Sequence, residues 1–445
     1  MKARHCSYLR GTIITNRKWH IPANFCLILA GFLFLLYGCS ISTVKNNDQP
    51  SGRNGTTGYF NTPVQMVNSR DVHSIQLERK GVPGSLPAIE LSSDEQLELS
   101  FDLIGFESRT LFAEFVHHTK DWTPSLLSTD FYIDGLQRIY LPFGRVSAAS
   151  RPSYRSYSYS FPDEQFRFTR SGNYLLRITD QESGMLLFSL PFYVYENEGS
   201  VTGSTERIRS GLRDLHKPVG RYHLPDFITQ PSFDLHFHFI QNRFIGKGVN
   251  QPLTDFSDEH LVYVETPPRG VFIGDYEFMK LNLTPLSISN HQIRSFDPVS
   301  APMQAILTAD TEAFNRAGDK ASPGSYGSPL RNPDTPYVDV TFTLEADIEE
   351  ESDEIYLVGD FTNWSIRNEN RLYLSEETGL WQTRAVIKEG QYDYKYILVR
   401  DQQPDDLYFD ALFTPSVQEY LMLVYMRDHR EFYDRLMQYG QFLSN

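Results

Sequence analysis

Histidine pairs are the residues of this sequence that come nearest to a metal-binding pattern. His236 and His238 stand two positions apart, so a strand at this position would place both on one face. His117 and His118 are adjacent, and a strand would place them on opposite faces. A zinc site needs three or four ligands, and no third ligand is evident near either pair. We therefore interpret these histidines as structural or exposed residues and predict no metal site.

Signatures of catalysis are absent from the sequence. It contains no Gly-x-Ser-x-Gly, His-Glu-x-x-His or Gly-x-x-x-x-Gly-Lys motif, and its three cysteines all lie within the first 39 residues. Asp and Glu residues are scattered along the chain. Two of them could lie close together in the fold and act as the carboxylate pair of a glycosidase, and this is the one enzymatic activity that stays open. The formal net charge of −15 argues against nucleic acid as a partner. We predict no catalytic residue, no cofactor and no small-molecule substrate.

The N-terminal residues have the composition of a lipoprotein signal peptide. Five basic residues and no acidic residue occur within residues 1–20, and an apolar run, Phe25–Tyr37, follows. This run is shorter than the roughly 20 apolar residues that span a bilayer. It ends in Leu-Tyr-Gly-Cys at residues 36–39, which resembles the bacterial lipobox, where the cysteine thiol takes a diacylglycerol. We predict lipidation of Cys39. No Asp follows at the second position, so we expect a lipid-anchored protein at the periplasmic face of the outer membrane.

Strands are the elements that the rest of the sequence predicts. Apolar and polar residues alternate over 97–103 and 338–344, and turn signals recur at intervals of roughly ten residues. This pattern predicts an all-β protein of tandem immunoglobulin-like β-sandwich domains. The predicted divisions are a signal peptide at 1–38, a flexible tether at 39–73, an N-terminal β-sandwich at 74–196, a middle β domain at 197–296, a Pro/Gly-rich connector at 297–336 and a C-terminal immunoglobulin-like domain of the early-set kind at 337–445.

Two motifs near the C-terminus are similar to those of starch- and glycogen-binding modules. They are Gly-Asp-Phe-Thr-Asn-Trp at 359–364 and Gly-Gln-Tyr-Asp-Tyr-Lys-Tyr at 390–396. In that family the tryptophan stacks on a sugar ring and the lysine helps to bind it, which implies Trp364 and Lys395 as weak glycan-binding candidates. A second stacking tryptophan is missing from residues 399–403. The resemblance thus favours an immunoglobulin-like fold more than sugar binding.

A wider resemblance covers roughly residues 75–445. The segments that carry it are His117–Leu126, the tyrosine-rich run with Tyr154, Tyr157 and Tyr159, Ser171–Leu176, Gln241-Asn242, Glu277-Phe278, Val424–Arg427 and Tyr433–Leu436. Together they are similar to plug proteins of the type IX secretion system of Bacteroidota. Thr119, Met279 and Met426 depart from the family's residues, so the sequence resembles a divergent member.

The resemblance implies a function without catalysis. Such a plug blocks the periplasmic mouth of a very large outer-membrane β-barrel translocon while the channel is idle. Sealing needs a broad contact surface, and exposed aromatic and arginine side chains would anchor it. The partner-binding candidates are Trp122, Tyr154, Arg155, Tyr157 and Tyr159. The opposite interpretation places these residues in the core or on edge strands. Two other functions stay open: a glycan-binding outer-membrane lipoprotein, and an enzyme.

Overall fold

The computed structural model describes residues 59–105, 107–148, 151–211, 213–311, 328–330, 332, 334–348, 352–410 and 416–444. The predicted signal peptide, Cys39 and most of the predicted tether lie outside the described residues. The described residues are predominantly strands in several separate sheets, which confirms the all-β prediction. None of the helices in this described part of the chain has the length and apolar character needed to cross a membrane.

The strands from Met66 to Tyr195 form the first sandwich. In chain order they are β1 (Met66–Val67), β2 (Val72–Arg79), β3 (Ala88–Glu90), β4 (Leu97–Ile104), β5 (Leu111–His118), β6 (Ile133–Gly135), β7 (Arg138–Tyr140), β8 (Arg145–Val146), β9 (Tyr154–Phe161), β10 (Phe166–Phe168), β11 (Gly172–Asp180) and β12 (Leu186–Tyr195), with a helical turn, α1 (Thr129–Tyr132). One sheet has the order β1-β12-β11-β5-β7, and the other has the order β2-β4-β9-β8. Alternate side chains such as Leu97, Leu99 and Phe101 fill the core between the sheets.

A long hairpin opens the second group of strands. This group contains β13 (Ser200–Ser210), β14 (Arg213–His223), the helical turn α2 (Pro231–Asp234), β15 (Leu235–Gln241), a 3-10 turn (Ile245–Lys247), β16 (Leu253–Asp255), β17 (Leu261–Glu265) and β18 (Phe272–Ile273). One sheet has the order β13-β14-β17-β16, with β18 beside β14.

The third group forms a second two-sheet core. Its strands are β19 (Met279–Asn282), β20 (Ile293–Asp297), β21 (Met303–Leu307), β22 (Asp310–Thr311), β23 (Ser328–Pro329), β24 (Tyr337–Glu345), β25 (Glu354–Gly359), β26 (Tyr373–Leu374), β27 (Trp381–Lys388), β28 (Gly390–Arg400) and β29 (Gln403–Asp405), with 3-10 turns at Asp360–Thr362 and Asn368–Asn370. One sheet has the order β20-β21-β24-β27-β26, and the other is centred on β28.

The last two strands leave the third group. β30 (Glu419–Asp428) and β31 (Tyr433–Leu443) form the C-terminal hairpin, and β30 pairs antiparallel with β15. β19 and β20 pair with strands of the third group, although the sequence places them in the middle domain. The strand pairing thus crosses the boundaries that the sequence suggests, because local alternation identifies strands but not their partners.

Glycines allow the β13–β14 hairpin to pack closely on the C-terminal hairpin. A Cβ atom on Gly203 would collide with the ring of Phe442, and one on Gly220 would collide with the sulfur of Met422. Aromatic and aliphatic side chains from both layers fill the core between them. The three groups of strands belong to one compact unit.

Candidate functional site

The tyrosine-rich segment lies on β9 and faces mainly into the protein. Tyr154, Tyr157 and Tyr159 are buried, and Tyr157 stacks on Phe101 with ring centroids 4.9 Å apart. Their burial differs from the expectation of an exposed partner-binding surface. The core of the first sandwich takes the rings of Tyr157 and Tyr159, whereas Tyr154 lies outside that core and packs against Tyr337 of the third group.

Trp122 is also buried, although the sequence suggests it as an exposed anchor. It sits in a tight turn after β5 with a left-handed φ of 60°. Its ring lies 5.7 Å from that of Tyr193, within an apolar cluster that includes Leu421, Leu423, Tyr425 and Leu436 of the C-terminal hairpin. The partner of Trp122 in the described structure is therefore a distant part of its own chain.

Polar contacts surround Trp122 and complete what we call the hairpin junction, the contact between the first sandwich and residues 419–443. The hydroxyl of Tyr425 donates to Asn173 at 2.7 Å, and the backbone N–H of Lys120 donates to Asp434 at 3.1 Å. At the rim, Arg435 pairs with Glu196, and the distance from its Nε to the carboxylate is 2.8 Å. An apolar centre with a polar rim is the usual arrangement of a stable interface.

A second contact, which we call the charged junction, joins the first sandwich to the third group. The Nζ of Lys388 lies 2.8 Å from Oδ2 of Asp102, and both side chains are almost completely buried. The hydroxyl of Tyr337 donates to the same carboxylate at 2.7 Å, and Ser156 donates to its other oxygen. The ammonium also lies 4.8 Å from the ring centroid of Tyr154. Tyr154 therefore serves this junction and not an external surface.

Trp364 lies in an aromatic cluster that covers its ring. Its neighbours are Phe60, Phe244 and Phe278, with centroid distances of 5.8, 5.1 and 5.2 Å. The indole N–H donates to Asp360 at 3.0 Å. A sugar-stacking tryptophan must present a ring face to solvent, so this burial is contrary to a glycan-binding role.

Lys395 is buried as well and is neutralised within the protein. Its Nζ lies 2.6 Å from Asp410, and 3.8 Å from the ring centroid of Tyr276. Lys247 pairs with Asp406 close by. Burial opposes the ionisation of Asp406, but Lys247 and Lys395 outweigh this effect and hold its pKa below the ordinary value. The two lysines act as structural charges here.

Two of the histidines singled out by the sequence are buried in the neutral form. Burial lowers the pKa of His117 to about 4 and that of His238 to about 4. The Nε2 of His117 donates to the carbonyl of Ser171 at 3.0 Å, and the ring of His238 packs on Tyr425. No group of three or more His, Cys, Asp or Glu residues suited to a metal ion occurs among the described residues.

Sequence reasoning missed an exposed stretch, Arg138–Val146, which we call the edge segment. It runs from β7, at the edge of one sheet of the first sandwich, to β8, at the edge of the other. Phe143 is 80% exposed and Tyr140 is 53% exposed. The absence of acidic residues near these apolar side chains is the signal in the sequence that could have revealed it.

Residues of the predicted tyrosine-rich site hold the edge segment from behind. A Cβ atom on Gly144 would lie 2.8 Å from the ring of Tyr157, so the backbone packs directly on that ring. The guanidinium of Arg155 donates to the carbonyl of Gly144 at 3.1 Å. Tyr157 and Arg155 thus position an exposed surface without being part of it.

One comparison with known proteins concerns the first sandwich. Residues 72–196 match the family model described as the type 9 secretion system plug protein 1st domain. The matched range runs from the first residue of β2 to the residue after β12, and so covers nearly all of this sandwich. No curated protein matches the chain at a significant level.

One solved structure extends the likeness of fold to most of the chain. The crystal structure of a hypothetical protein from Parabacteroides merdae has a TM-score of 0.76 and 21% identity, over 85% of this chain and 98% of its own. This likeness shows a shared fold. The C-terminal domain of the AgI/II polypeptide BspA from Streptococcus agalactiae covers 83% of this chain and 99% of its own, but its TM-score of 0.16 and identity of 7% carry no structural argument.

Proposed function

We propose that this chain is a plug protein of the type IX secretion system, which blocks the periplasmic mouth of the outer-membrane β-barrel translocon while the channel is idle. The match of residues 72–196 to the first-domain model of such plug proteins carries the proposal. That family implies a structural role, so the proposed function requires no catalytic residue and no cofactor.

The way in which the sandwiches are joined supports a blocking role. A plug across a wide pore has to keep its shape, and close-packed interiors resist compression. The hairpin junction buries Trp122, and the charged junction buries Asp102 and Lys388. Both contacts join parts of the chain that are far apart in sequence. They favour one rigid body over a string of independent domains.

Lipidation of Cys39 is a further part of the proposal and rests on the sequence pattern alone. A diacylglycerol together with an amide-linked acyl chain would hold the protein at the membrane, since each buried CH₂ contributes about 0.8 kcal/mol. The acyl chains would be followed by the predicted tether, and the folded body would face the periplasm beside the translocon.

The direct test is affinity purification of the tagged full-length protein from outer membranes of its native host in mild detergent. We expect a very large outer-membrane β-barrel to co-purify. A Cys39→Ala variant, which cannot be lipidated, serves as the comparison for the anchor. Recovery of the protein without any barrel, under conditions where other barrel complexes stay intact, would contradict the plug function.

A second test measures the barrier itself. Deletion of the gene should make the outer membrane permeable to large hydrophilic antibiotics, because an unplugged translocon would leak. The wild-type gene should restore the barrier. Unchanged permeability in the deletion strain, with the translocon still present in the membrane, would count against a sealing role.

A further inference from the structure

Residues 59–67, which we call the strap, open the described part of the chain. The sequence places them in the flexible tether, whereas in the structure Phe60 is buried and Met66–Val67 form β1. The stretch before them is rich in Ser, Asn, Gly and Thr, but the strap contains Tyr, Phe, Met and two Val. The first residues of a domain are poorly ordered unless they are tied down. The strap is therefore tied to the folded body.

The aromatic end of the strap lies between the second and third groups of strands. The ring centroid of Phe60 is 4.8 Å from that of Phe244 and 5.8 Å from that of Trp364. The carbonyl oxygen of Phe60 accepts a hydrogen bond from the backbone N–H of Gly246 at 2.9 Å. Phe244 and Gly246 lie in the second group, and Trp364 lies in the third. One residue of the strap thus contacts two groups at once.

Tyr59 adds a contact with a charged group at the same end. Its hydroxyl donates to Asp406, which follows β29 of the third group, at 2.8 Å. Asp406 also pairs with Lys247 of the second group, and the ammonium of Lys247 lies 5.0 Å from the ring centroid of Tyr59. Tyr59 therefore binds a carboxylate at which the second and third groups already meet.

The other end of the strap contacts the first sandwich. Met66 and Val67 form β1, which pairs antiparallel with β12. The side-chain hydroxyl of Ser189, on β12, donates to the carbonyl of Val64 at 2.7 Å. Val64 also packs against the apolar cluster of the hairpin junction. Within nine residues the strap therefore contacts all three groups of strands and the C-terminal hairpin.

From these contacts we infer that the strap is a clasp, which holds the three groups of strands in one arrangement. Phe60 and Met66 are six positions apart, so the chain between them can span at most about 22 Å. A large displacement of the first sandwich would therefore have to extract Phe60 from its aromatic cluster or separate β1 from β12. The inference goes beyond the plug function and does not depend on it. The segment that follows Cys39 would join the body at this clasp.

The test measures the distance between two spin labels on the chain from residue 39 onwards by double electron–electron resonance. This chain carries Cys39→Ser, and Leu126→Cys and Leu374→Cys supply its only thiols, at exposed positions of the first sandwich and the third group. Phe60→Ala should widen the distance distribution at least about twofold, because opening between the groups populates further arrangements. The matched control is Phe342→Ala, since Phe342 is buried in a third-group core that contains no described residue of the strap. This control should lower the melting temperature as well, but keep the distribution of the parent.

The control separates a clasp from a general loss of stability. A folded Phe60→Ala protein with the distribution of the parent would overturn the inference, and so would equal widening in Phe342→Ala. Should Phe60→Ala fail to fold, Val64→Ser, which alters a partly buried side chain of the strap, is measured in its place. An unchanged distribution in Val64→Ser would then overturn the inference, and widening would support it. The plug function is tested separately by co-purification, so failure of the clasp leaves it standing.

Discussion

The hairpin junction buries the indole of Trp122 among aliphatic and aromatic side chains, whereas the charged junction buries an ion pair between Asp102 and Lys388. Both attach the first sandwich to a part of the chain that lies more than 200 residues away. At the hairpin junction Arg435 and Glu196 are partly exposed at the rim, and Asp434 is the buried charged group. The charged junction has its ion pair at its centre.

The comparison teaches how each contact would respond to damage. Truncation of an apolar side chain costs its transfer free energy and the cavity that it leaves. Removal of one member of a buried ion pair leaves the other charge without compensation, which costs more than the pair contributes as a whole. The charged junction should therefore be the less tolerant of single substitutions, although its replacement by a neutral pair could be tolerated.

The largest effect is expected at the charged junction. Lys388→Met should lower the free energy of unfolding by about 4 kcal/mol, because the buried carboxyl group of Asp102 would lose the ammonium group that compensates it. Urea unfolding followed by tryptophan fluorescence would measure it. The control is the double variant Asp102→Asn with Lys388→Met, which should recover at least half of the loss. If Lys388→Met were as stable as the wild type, the stability of the buried Asp102 carboxyl group would not depend on Lys388.

Trp122→Ala should lower the free energy of unfolding by about 3 kcal/mol, because it leaves a cavity against the C-terminal hairpin. The same urea experiment measures the change. Leu126→Ala, in the same loop but 96% exposed, is the control and should change stability by less than about 0.5 kcal/mol. Equal effects of the two substitutions would argue against burial of the tryptophan.

Acid should destabilise the protein through buried His238, whose ring packs on Tyr425 of the C-terminal hairpin. The pKa of His238 is lowered to about 4, so between pH 6.5 and pH 4 the unfolded chain takes up a proton that the folded protein does not. Stability should fall with pH in this window by up to about 1.4 kcal/mol per unit for this residue. His238→Phe should reduce the slope of stability against pH, with the exposed His223→Gln as the comparison. An unchanged slope in His238→Phe would contradict the assignment.

The smallest effect is expected at the rim of the hairpin junction. Arg170 pairs with Glu431, and both side chains are partly exposed. A double-mutant cycle with Arg170→Gln and Glu431→Gln should give a coupling free energy of about 0.5 kcal/mol that falls as salt is added. A coupling several times larger, and insensitive to salt, would mean that the rim is as dry as the centre of the charged junction.

Strand positions were the most predictable part of this protein. The alternation over 97–103 predicts a strand that the structure places at Leu97–Ile104, and the alternation over 338–344 predicts one that it places at Tyr337–Glu345. Period-two patterning arises from the geometry of each strand alone, so it can be read without knowledge of the neighbours. The all-β class follows from many such patterns together.

Exposure of the candidate residues could not be predicted in the same way. Trp122 and Trp364 are both aromatic residues in turns, which fits a binding platform as well as it fits a buried anchor. Trp122 is covered by residues of the C-terminal hairpin, and Trp364 is covered by Phe60. These contacts span about three hundred residues of sequence. No local pattern indicates which distant segment will cover a given ring.

The sequence by itself therefore determined the residue types, the strand class and the resemblance of the first sandwich to secretion-system plugs. The tertiary structure alone decided which aromatic side chains are internal contacts and which, like Phe143, face solvent. The physical reason is that strand propensity depends on neighbours along the chain, whereas burial depends on long-range packing between sheets. The pairing of β30 with β15 is a second example. The pattern of each segment predicts a strand, but it does not indicate which sheet that strand joins.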